Sequence, residues 1–472
     1  FDLLGKVGNL EKIGDVVKNA AEMIQNGEVE PGKIIKRVLV IDEAQDMDEN
    51  EFALIRALIH VNDDMRVIAV GDDDQNIFKF RGSDSKYLRA LIEDYNAVKY
   101  EMYDNYRSMT NIVNLSNAFI TSVSERIKSY PIQAVQTEAG TVEIIRYISD
   151  RMEQAVSEHV SKTYNGGKAC VLTGTNIEAL QTQGLLNKKG IRARLIQSFD
   201  GFRLYNLAEV RYFLKYIDSN LKSPVIDDVL WEAAKKQLKQ SYTGSTCLTN
   251  CLNMLEDYAS VNHIKYRNDL VEFIKESNYE DFYSDENEAV YVSTIHKAKG
   301  REFDTVYLLL KEFSAQNDEE KRKLYVALTR AKKALYIHCR TDIFNKYSIQ
   351  GIIKRTDAAE YAEPSELSFQ LTHRDVFLGF FKDKKEIILK LYSGIALSVF
   401  DCYLSAEING KSVRVVKFSK EFINNLEMLK SKGYEPVNAR IGFIVAWKGE
   451  EDEDESAVIL PVLNFRKENT ND

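Results

Sequence analysis

The stretch VLVIDEAQDMDENEFALI, residues 38–55, decides how the fold of this chain is predicted. It begins with four apolar residues typical of a buried strand, continues into a cluster of acids, and ends with apolar residues at helical spacing. A strand that ends in Asp42 and Glu43 is typical of a site that holds Mg²⁺ and an attacking water beside a nucleotide. A strand that runs into a solvated acidic turn is the alternative interpretation.

The composition is that of an ordinary globular protein. The 472 residues are 44% hydrophobic and 29% charged, and the length allows two to four domains. The net charge of −9 argues against a protein that coats nucleic acid, although a local basic cleft remains compatible with it. No apolar run approaches the ~20 residues of a membrane helix, and no signal peptide is evident, so we expect a cytoplasmic protein with free thiols.

Three further regions follow the opening stretch. Apolar β-branched runs alternate with amphipathic helical patterns up to about residue 212, which predicts a parallel sheet covered on both faces. Residues 213–284 have helical patterns only, and strand patterns return in residues 285–345. After a polar linker, residues 366–468 combine short alternating strands with one amphipathic helix.

Four more motifs carry candidate chemistry. VGDDDQNIFKFRG places Gln75 at the end of a strand, where an amide could sense a terminal phosphate. Phe78 and Phe80 beside this loop suit stacking on unpaired bases, although core packing is the alternative. NYRS follows another strand. STIHKAKGREFD brings basic residues to a strand end, where they suit phosphate contacts, and KRKLYVALTRAKKAL predicts Arg330 on an amphipathic helix.

The order and spacing of these motifs resemble motifs II to VI of the UvrD/Rep-like superfamily 1 DNA helicases, from about residue 35 to 345. The resemblance implies an α/β fold of two RecA-like parallel-sheet domains, the first truncated, with a helical insertion and a small C-terminal α+β domain. The implied segments are 1–103 for the first RecA-like domain, 104–212 and 285–345 for the second, 213–284 for the insertion, and 366–468 for the C-terminal domain.

The same resemblance implies a role for each motif residue. Glu43 would be the general base, Gln75 the γ-phosphate sensor, and Arg107 and Arg330 arginine fingers. Asp42 would bind Mg²⁺ as a cofactor of ATP hydrolysis.

The remaining implied contacts are to ATP and to DNA. Tyr106 would stack on adenine, and Glu302 would contact the ribose. The implied single-stranded DNA track consists of Phe78, Phe80, Thr294 and His296.

A phosphate-binding loop is also required, and GEVEPGKI, residues 27–34, fits G-x-x-x-x-G-K. We reject it because it follows a helix and precedes a strand, whereas a phosphate-binding loop follows a strand and opens a helix. It also has Ile34 where a Ser or Thr hydroxyl would bind Mg²⁺. We expect the real loop upstream of Phe1 in the same protein, so that this chain alone hydrolyses little ATP; the alternative is a full protein that never had the loop.

The function that fits these features is an ATP-dependent DNA helicase or translocase, with 3′-to-5′ polarity implied only by the resemblance. Its expected partners are single-stranded DNA or a single-strand/double-strand junction, together with repair or recombination proteins. The alternative is a non-hydrolysing DNA-binding or scaffold module with a helicase fold. A scaffold would not need Glu43, Arg107 and Arg330 together. A nuclease is a third hypothesis, but no further cluster of acids with lysine supports it.

Overall fold

The computed structural model describes residues 13–196, 203–282, 289–449 and 454–467. The apolar spacing of residues 9–26 predicts a helix, and the acidic stretch GEEDEDES (449–456) predicts a solvated hairpin tip. The start of that helix and residues 450–453 of the acidic stretch lie outside the described residues. The chain forms two compact units. Unit one consists of Phe1–Asp150 and Ala298–Ala359, and unit two of Arg151–Lys297 and Glu360–Asp472.

The helices and strands of the described residues alternate in the first part of both units. The α-helices are α1 (Ile13–Gln25), α2 (Pro31–Ile34), α3 (Glu49–His60), α4 (Lys86–Asp94), α5 (Thr110–Ile120), α6 (Met152–Thr163), α7 (Asn176–Lys188), α8 (Ala208–Asn220), α9 (Asp228–Ser241), α10 (Leu248–Val261), α11 (Arg267–Glu276), α12 (Asp318–Leu328), α13 (Lys385–Ile388) and α14 (Lys420–Ser431). The strands are β1 (Val38–Ile41), β2 (Arg66–Ala69), β3 (Asp104–Asn105), β4 (Gln133–Ala134), β5 (Thr141–Tyr147), β6 (Ala169–Thr173), β7 (Ala193–Leu195), β8 (Val225–Ile226), β9 (Lys265–Tyr266), β10 (Val290–Thr294), β11 (Phe303–Leu310), β12 (Ala331–Cys339), β13 (Ile352–Asp357), β14 (Glu366–Gln370), β15 (Ala396–Phe400), β16 (Tyr403–Ile408), β17 (Lys411–Lys417), β18 (Tyr434–Trp447) and β19 (Ser456–Lys467).

The first two strands of unit one, β1 and β2, form a parallel pair in which Val38 lies opposite Arg66. Helix α3 follows β1 and starts with a capping box, in which the Asp48 and Glu51 side chains each accept a backbone N–H. A small core beneath this pair includes Phe52 from α3. The opening stretch is therefore a strand, an acidic turn and a helix, as its pattern predicts.

Four parallel strands form the second part of unit one, in the order β13-β5-β12-β11. Most apolar side chains of the central strands β11 and β12 are buried, as the continuous runs VYLLL and ALYIHC predict, whereas the edge strand β13 is largely exposed. Helices α5 and α12 pack together beside these strands. The α/β class predicted from the sequence is confirmed.

Unit two contains three more parallel strands, in the order β6-β10-β7, with α6 and α7 beside them. The predicted helical block follows as α8 to α11. It also contains a short antiparallel pair, β8 and β9, which the sequence did not indicate. The C-terminal sheet is antiparallel, in the order β14-β19-β18-β15-β16-β17.

The helical block and the C-terminal sheet share one hydrophobic core. Trp231 from the helices and Phe465 from the sheet belong to the same cluster, and Leu207 forms an isolated antiparallel bridge to Val445. The buried carboxylate of Glu209 accepts a hydrogen bond from Ser245 Oγ at 2.6 Å. The C-terminal residues thus pack as one body with the helices. The division of the chain into the five segments predicted from the sequence remains a proposal.

The stretch GEVEPGKI connects α1 to β1. Gly27 follows α1 with a φ of +72°, and Pro31–Ile34 form a single helical turn with Pro31 in its first turn. The amides of this stretch therefore do not lie between a strand and a helix, in agreement with its rejection as a phosphate-binding loop.

Two other features of the described residues concern membrane-spanning helices and the state of the cysteines. None of their helices is both long enough and apolar enough to span a bilayer. All five cysteines are free thiols, and four of them are buried.

Candidate functional site

Asp42 and Glu43 lie at the carboxyl end of β1, and both side chains are exposed. Glu43 adopts the left-handed region, with a φ of +49°, which costs a non-glycine residue energy and is concentrated at functional sites. Its N–H donates to Asp42 Oδ1 at 2.9 Å. The backbone thus turns sharply at the end of the strand and presents both carboxylates together.

Gln45 connects this turn to the end of β2 and is fully buried. Its Nε2 donates to Glu43 Oε2 at 2.5 Å, and its Oε1 accepts from the N–H of Asp72 at 2.9 Å. A Cβ on Gly71 would lie 2.6 Å from Gln45 Oε1, so only glycine permits this approach. Gln45 is not among the residues predicted from the sequence, because an amide within an acidic turn has no distinctive pattern.

Gln75 lies in a one-turn helix, Asp73–Gln75, that follows β2. Its Nε2 donates to Asp72 Oδ2 at 2.8 Å, and its Oε1 accepts from Arg330 Nη2 at 3.0 Å. The structure therefore brings together two predicted catalytic residues that are 255 positions apart in the chain.

Arg330 is only 2% exposed. Its Nε donates to the Val326 carbonyl at 3.0 Å and its Nη1 to the Arg301 carbonyl at 3.2 Å. Burial, assisted by the nearby charge of Arg107, lowers its pKa to about 10, so the guanidinium still carries its charge at neutral pH. The predicted helical position was wrong: α12 ends at Leu328, and Arg330 lies in the turn before β12.

Arg107 forms an ion pair with Glu302, with Nε 2.5 Å from Oε1. Lys332 Nζ lies 2.9 Å from the other carboxylate oxygen. Burial opposes ionisation of Glu302, but the hydrogen bond from Lys332 and the charge of Arg107 outweigh it and lower its pKa. Beside this cluster, the ring of Tyr106 is 69% exposed and offers a flat stacking surface.

Lys299 also lies among the acids of this site. Its Nζ forms an ion pair with Asp46, lies 3.9 Å from Glu43 Oε2, and sits 4.8 Å from the centre of the Phe78 ring. Burial raises the pKa of Asp46 despite the hydrogen bond and charge of Lys299. The basic stretch HKAK (296–299) predicts positive charge near the site, but only the structure shows that Lys299 is the residue that contacts the acidic turn.

The acids Asp72–Asp74 have carboxylate oxygens within 4.8 Å of one another. Asp74 is fully buried and accepts two hydrogen bonds from Arg126, at 2.8 and 2.7 Å. Lys128 Nζ lies 2.6 Å from Asp72. These two cations offset most of the negative charge of the three acids, and the cluster therefore anchors the turn that carries Gln75.

The four residues predicted to contact DNA divide between the two units. In unit one, Phe78 is half-buried and Phe80 is 64% exposed, with ring centroids 6.1 Å apart and Arg81 over both rings. In unit two, Thr294 ends β10 and is buried, and His296 follows in the next turn. An exposed aromatic ring beside a cation suits stacking with a base.

The donor set at the end of β1 fits Mg²⁺. Carboxylate oxygens are its preferred protein ligands, and the ion retains several waters, which an exposed pair of side chains such as Asp42 and Glu43 allows. Asp42 would hold the ion through its carboxylate, and the ion would offset the charge of the nucleotide phosphates.

Family models match most of the chain. The model of the UvrD/REP helicase N-terminal domain matches residues 15–96. The model of the UvrD-like helicase C-terminal domain matches residues 100–223 and 222–341, more than half of the chain.

The chain has low sequence identity to its curated relatives, but the similarity extends over several hundred residues. The chain is 23% identical over 397 residues to the ATP-dependent DNA helicase PcrA of Staphylococcus epidermidis, across 63% of this chain and 54% of that protein. It is 24% identical over 336 residues to the Gabija protein GajB of Bacillus cereus, across 67% and 66%. It is 21% identical over 475 residues to the ATP-dependent DNA helicase Rep of Buchnera aphidicola, across 78% and 70%. The chain spans about half the length of PcrA.

Proposed function

We propose that this chain, which belongs to the UvrD-like helicase family, is the larger part of an ATP-dependent DNA helicase or translocase. The observation that carries the proposal is the hydrogen bond between Arg330 and Gln75, which Asp72 and Gln45 connect to the carboxylate of Glu43. A buried cation held against a phosphate sensor is what phosphoryl transfer requires, because negative charge must be stabilised where the terminal phosphate leaves.

Each residue of the site has a distinct part in this proposal. Glu43 accepts a proton from the attacking water, and its carboxylate is oriented by Gln45. Gln75 and Arg330 stabilise the transferring phosphoryl group. Arg107 supplies a second positive charge after release from Glu302, whose carboxylate then bonds to the ribose.

ATP turnover would be coupled to movement through these same contacts. Arg330 belongs to the part of unit one built on β12, whereas Gln75 belongs to the part built on β1 and β2. A terminal phosphate between them changes their direct contact, so turnover alters how the two parts of unit one pack. Such a cycle moves a strand in steps, and we assign it 3′-to-5′ polarity by family resemblance.

The phosphate-binding loop is proposed to come from another segment of the same protein. The apolar side chains of β1 and β2 support this, because Val38, Val40 and Ile68 are between 43% and 62% exposed. Parallel strands are normally covered on both faces. A strand, a loop and a helix packed on this pair would cover them and would place backbone amides against the phosphates.

Single-stranded DNA or a junction is the proposed substrate, contacted by Phe78 and Phe80 in unit one and by Thr294 and His296 in unit two. The exposed Phe80 ring beside Arg81 supports base stacking. Proteins of DNA repair or recombination are the proposed partners.

The test measures ATP hydrolysis by the intact protein, including the segment proposed to carry the phosphate-binding loop, in the presence and absence of single-stranded DNA. We expect DNA to stimulate hydrolysis, and Glu43→Gln to lower the stimulated rate about 10²- to 10⁴-fold because the water loses its base. Glu93→Gln, at an exposed position of α4, is the matched control and should retain the parental rate.

Two outcomes would contradict the proposal. An intact protein that binds DNA without DNA-stimulated hydrolysis would favour the non-hydrolysing scaffold. Parental hydrolysis in the Glu43→Gln variant would remove Glu43 from the catalytic role.

A further inference from the structure

A cavity of about 440 Å³ lies within unit two. One wall is formed by α7 and the end of β10, including Thr294 and Lys297. The other is formed by residues 369–375 and by α14 of the C-terminal region. The volume falls within the ~300–1,000 Å³ of ligand pockets, which suits a group the size of a nucleotide.

His373 is the notable polar group of this cavity. It is 7% exposed, lines the cavity, and packs against Trp447 with ring centroids 4.4 Å apart and ring planes tilted by 35°. Neither of its ring nitrogens has a hydrogen-bond partner among the described residues. Burial lowers its pKa to about 4, so the ring is neutral at physiological pH and has one donor and one acceptor.

A buried neutral imidazole without partners is costly, because each unmade hydrogen bond forfeits the solvation that its nitrogen would have in water. The cost is removed when a ligand supplies a matching acceptor and donor. The hydrogen-bonding edge of a nucleobase presents both groups side by side.

The remaining lining suits the other parts of a nucleotide. Ile177 and Met428 add apolar surface on which a base can lie. The charged residues of the lining are three cations and two acids: Lys297, Arg374, Lys432, Asp375 and Glu421. The Asp375 carboxylate already accepts hydrogen bonds from the N–H and Oγ1 of Thr372, both at 2.7 Å. With three cations and two acids, the lining carries one net positive charge, which favours a phosphate.

We propose that this cavity binds one unpaired nucleotide of the single-stranded DNA, with its base against His373 and its phosphate against the surrounding cations. The inference rests on the proposed function, because Thr294 of the proposed track forms part of the cavity wall. The C-terminal region thereby becomes part of the DNA-binding surface, and it holds one base of the strand apart from its neighbours.

The test uses His373→Phe, which keeps a ring against Trp447 and removes both nitrogens. The probes are a labelled single-stranded oligonucleotide and a series of the same oligonucleotide with one abasic position moved along it, and binding is followed by fluorescence anisotropy. In the parent chain, we expect one abasic position to weaken binding more than its neighbours. We expect His373→Phe to weaken binding of the intact oligonucleotide about 10- to 100-fold, as the loss of two hydrogen bonds implies.

The variant should also lose its sensitivity to that abasic position, which a merely structural role of His373 would not explain. Thermal unfolding of His373→Phe should occur at or above the parental midpoint, because two unpartnered buried nitrogens are removed. His263→Phe, at an exposed position of the helical block, is the matched control and should bind as the parent does.

Three results separate the failure of this inference from that of the proposed function. His373→Phe could bind the oligonucleotides as the parent does and keep the abasic sensitivity, while Phe80→Ala still binds more weakly. That result would overturn the proposed nucleotide site in the cavity and leave the proposed DNA track in place. A free nucleoside monophosphate that requires His373 while the DNA series does not would make the cavity a small-molecule site and overturn the inference. A parent chain that binds no single-stranded DNA overturns both.

Discussion

Arg330 illustrates how one side chain acquires a role through its surroundings. An arginine in a turn after a helix is ordinarily solvated, yet this one is buried and donates four hydrogen bonds, to Val326, Arg301, Thr329 and Gln75. Three of these bonds hold the guanidinium within its own part of unit one. The fourth directs Nη2 toward the phosphate sensor, so the same residue both stabilises the turn and reaches the site.

We predict that Arg330→Ala in the intact protein leaves nucleotide affinity largely unchanged and lowers DNA-stimulated hydrolysis about 10³- to 10⁵-fold. The variant also loses the donors to two buried carbonyls, so its hydrolysis must be measured below its own unfolding temperature. Arg340→Ala, at an exposed position after β12, is the control and should hydrolyse ATP at the parental rate. Near-parental turnover in Arg330→Ala would show that the site has been assigned incorrectly.

At the scale of elements, the turn that carries Gln75 is held by ion pairs to the segment after α5. Arg126 forms a two-point contact with the fully buried Asp74, and the N–H of Ile127 donates to Asp73 Oδ2 at 2.6 Å. Burial raises the pKa of Asp73. The position of the sensor thus depends on a segment about fifty residues further along the chain.

Replacing Arg126 with methionine keeps the aliphatic stem and leaves Asp74 as a buried charge without its main partner. We expect a loss of about 3 kcal/mol in the free energy of unfolding, since breaking a buried pair from one side costs this order of energy. Denaturant titration of the chain measures it. Arg56→Met, on the exposed side of α3, is the control and should change stability by less than about 0.5 kcal/mol.

A second variant sharpens this test. Arg126→Met combined with Asp74→Leu removes both charges, so it should regain much of the lost stability. Parental stability in Arg126→Met alone would mean that the ion pair does not anchor the turn.

For the whole molecule, the net charge of −9 limits how DNA is bound. We predict that the logarithm of the affinity for single-stranded DNA falls linearly with the logarithm of the salt concentration, with a slope of about −2. This slope corresponds to about three phosphate contacts at about −0.7 each. Phe80→Ala should lower affinity by about 1–3 kcal/mol without changing that slope, because the ring carries no charge. Phe400→Ala, with a ring that is 67% exposed, is the matched control. A slope several-fold steeper would indicate a broad basic surface instead of a short track.

The sequence alone determined the features that depend on local pattern. Periodicity distinguishes strands from helices, so VLVIDEAQD predicted a strand that ends in Asp42 and Glu43, and the structure agrees. The helical block was likewise evident from its spacing. The order of the motifs indicated the family before any geometry was known, and the family models confirm it.

The tertiary structure decided the features that depend on distant residues. The contact of Gln75 with Arg330, the burial of Gln45, and the pairing of Arg126 with Asp74 join positions that no local pattern connects. The shared core of the helices and the C-terminal sheet also depends on distant residues. An amphipathic pattern in the sequence shows that one face of a helix is covered, but it does not show which element covers that face. His373 appears in the sequence as an ordinary histidine, and only packing isolates its ring nitrogens beside a cavity.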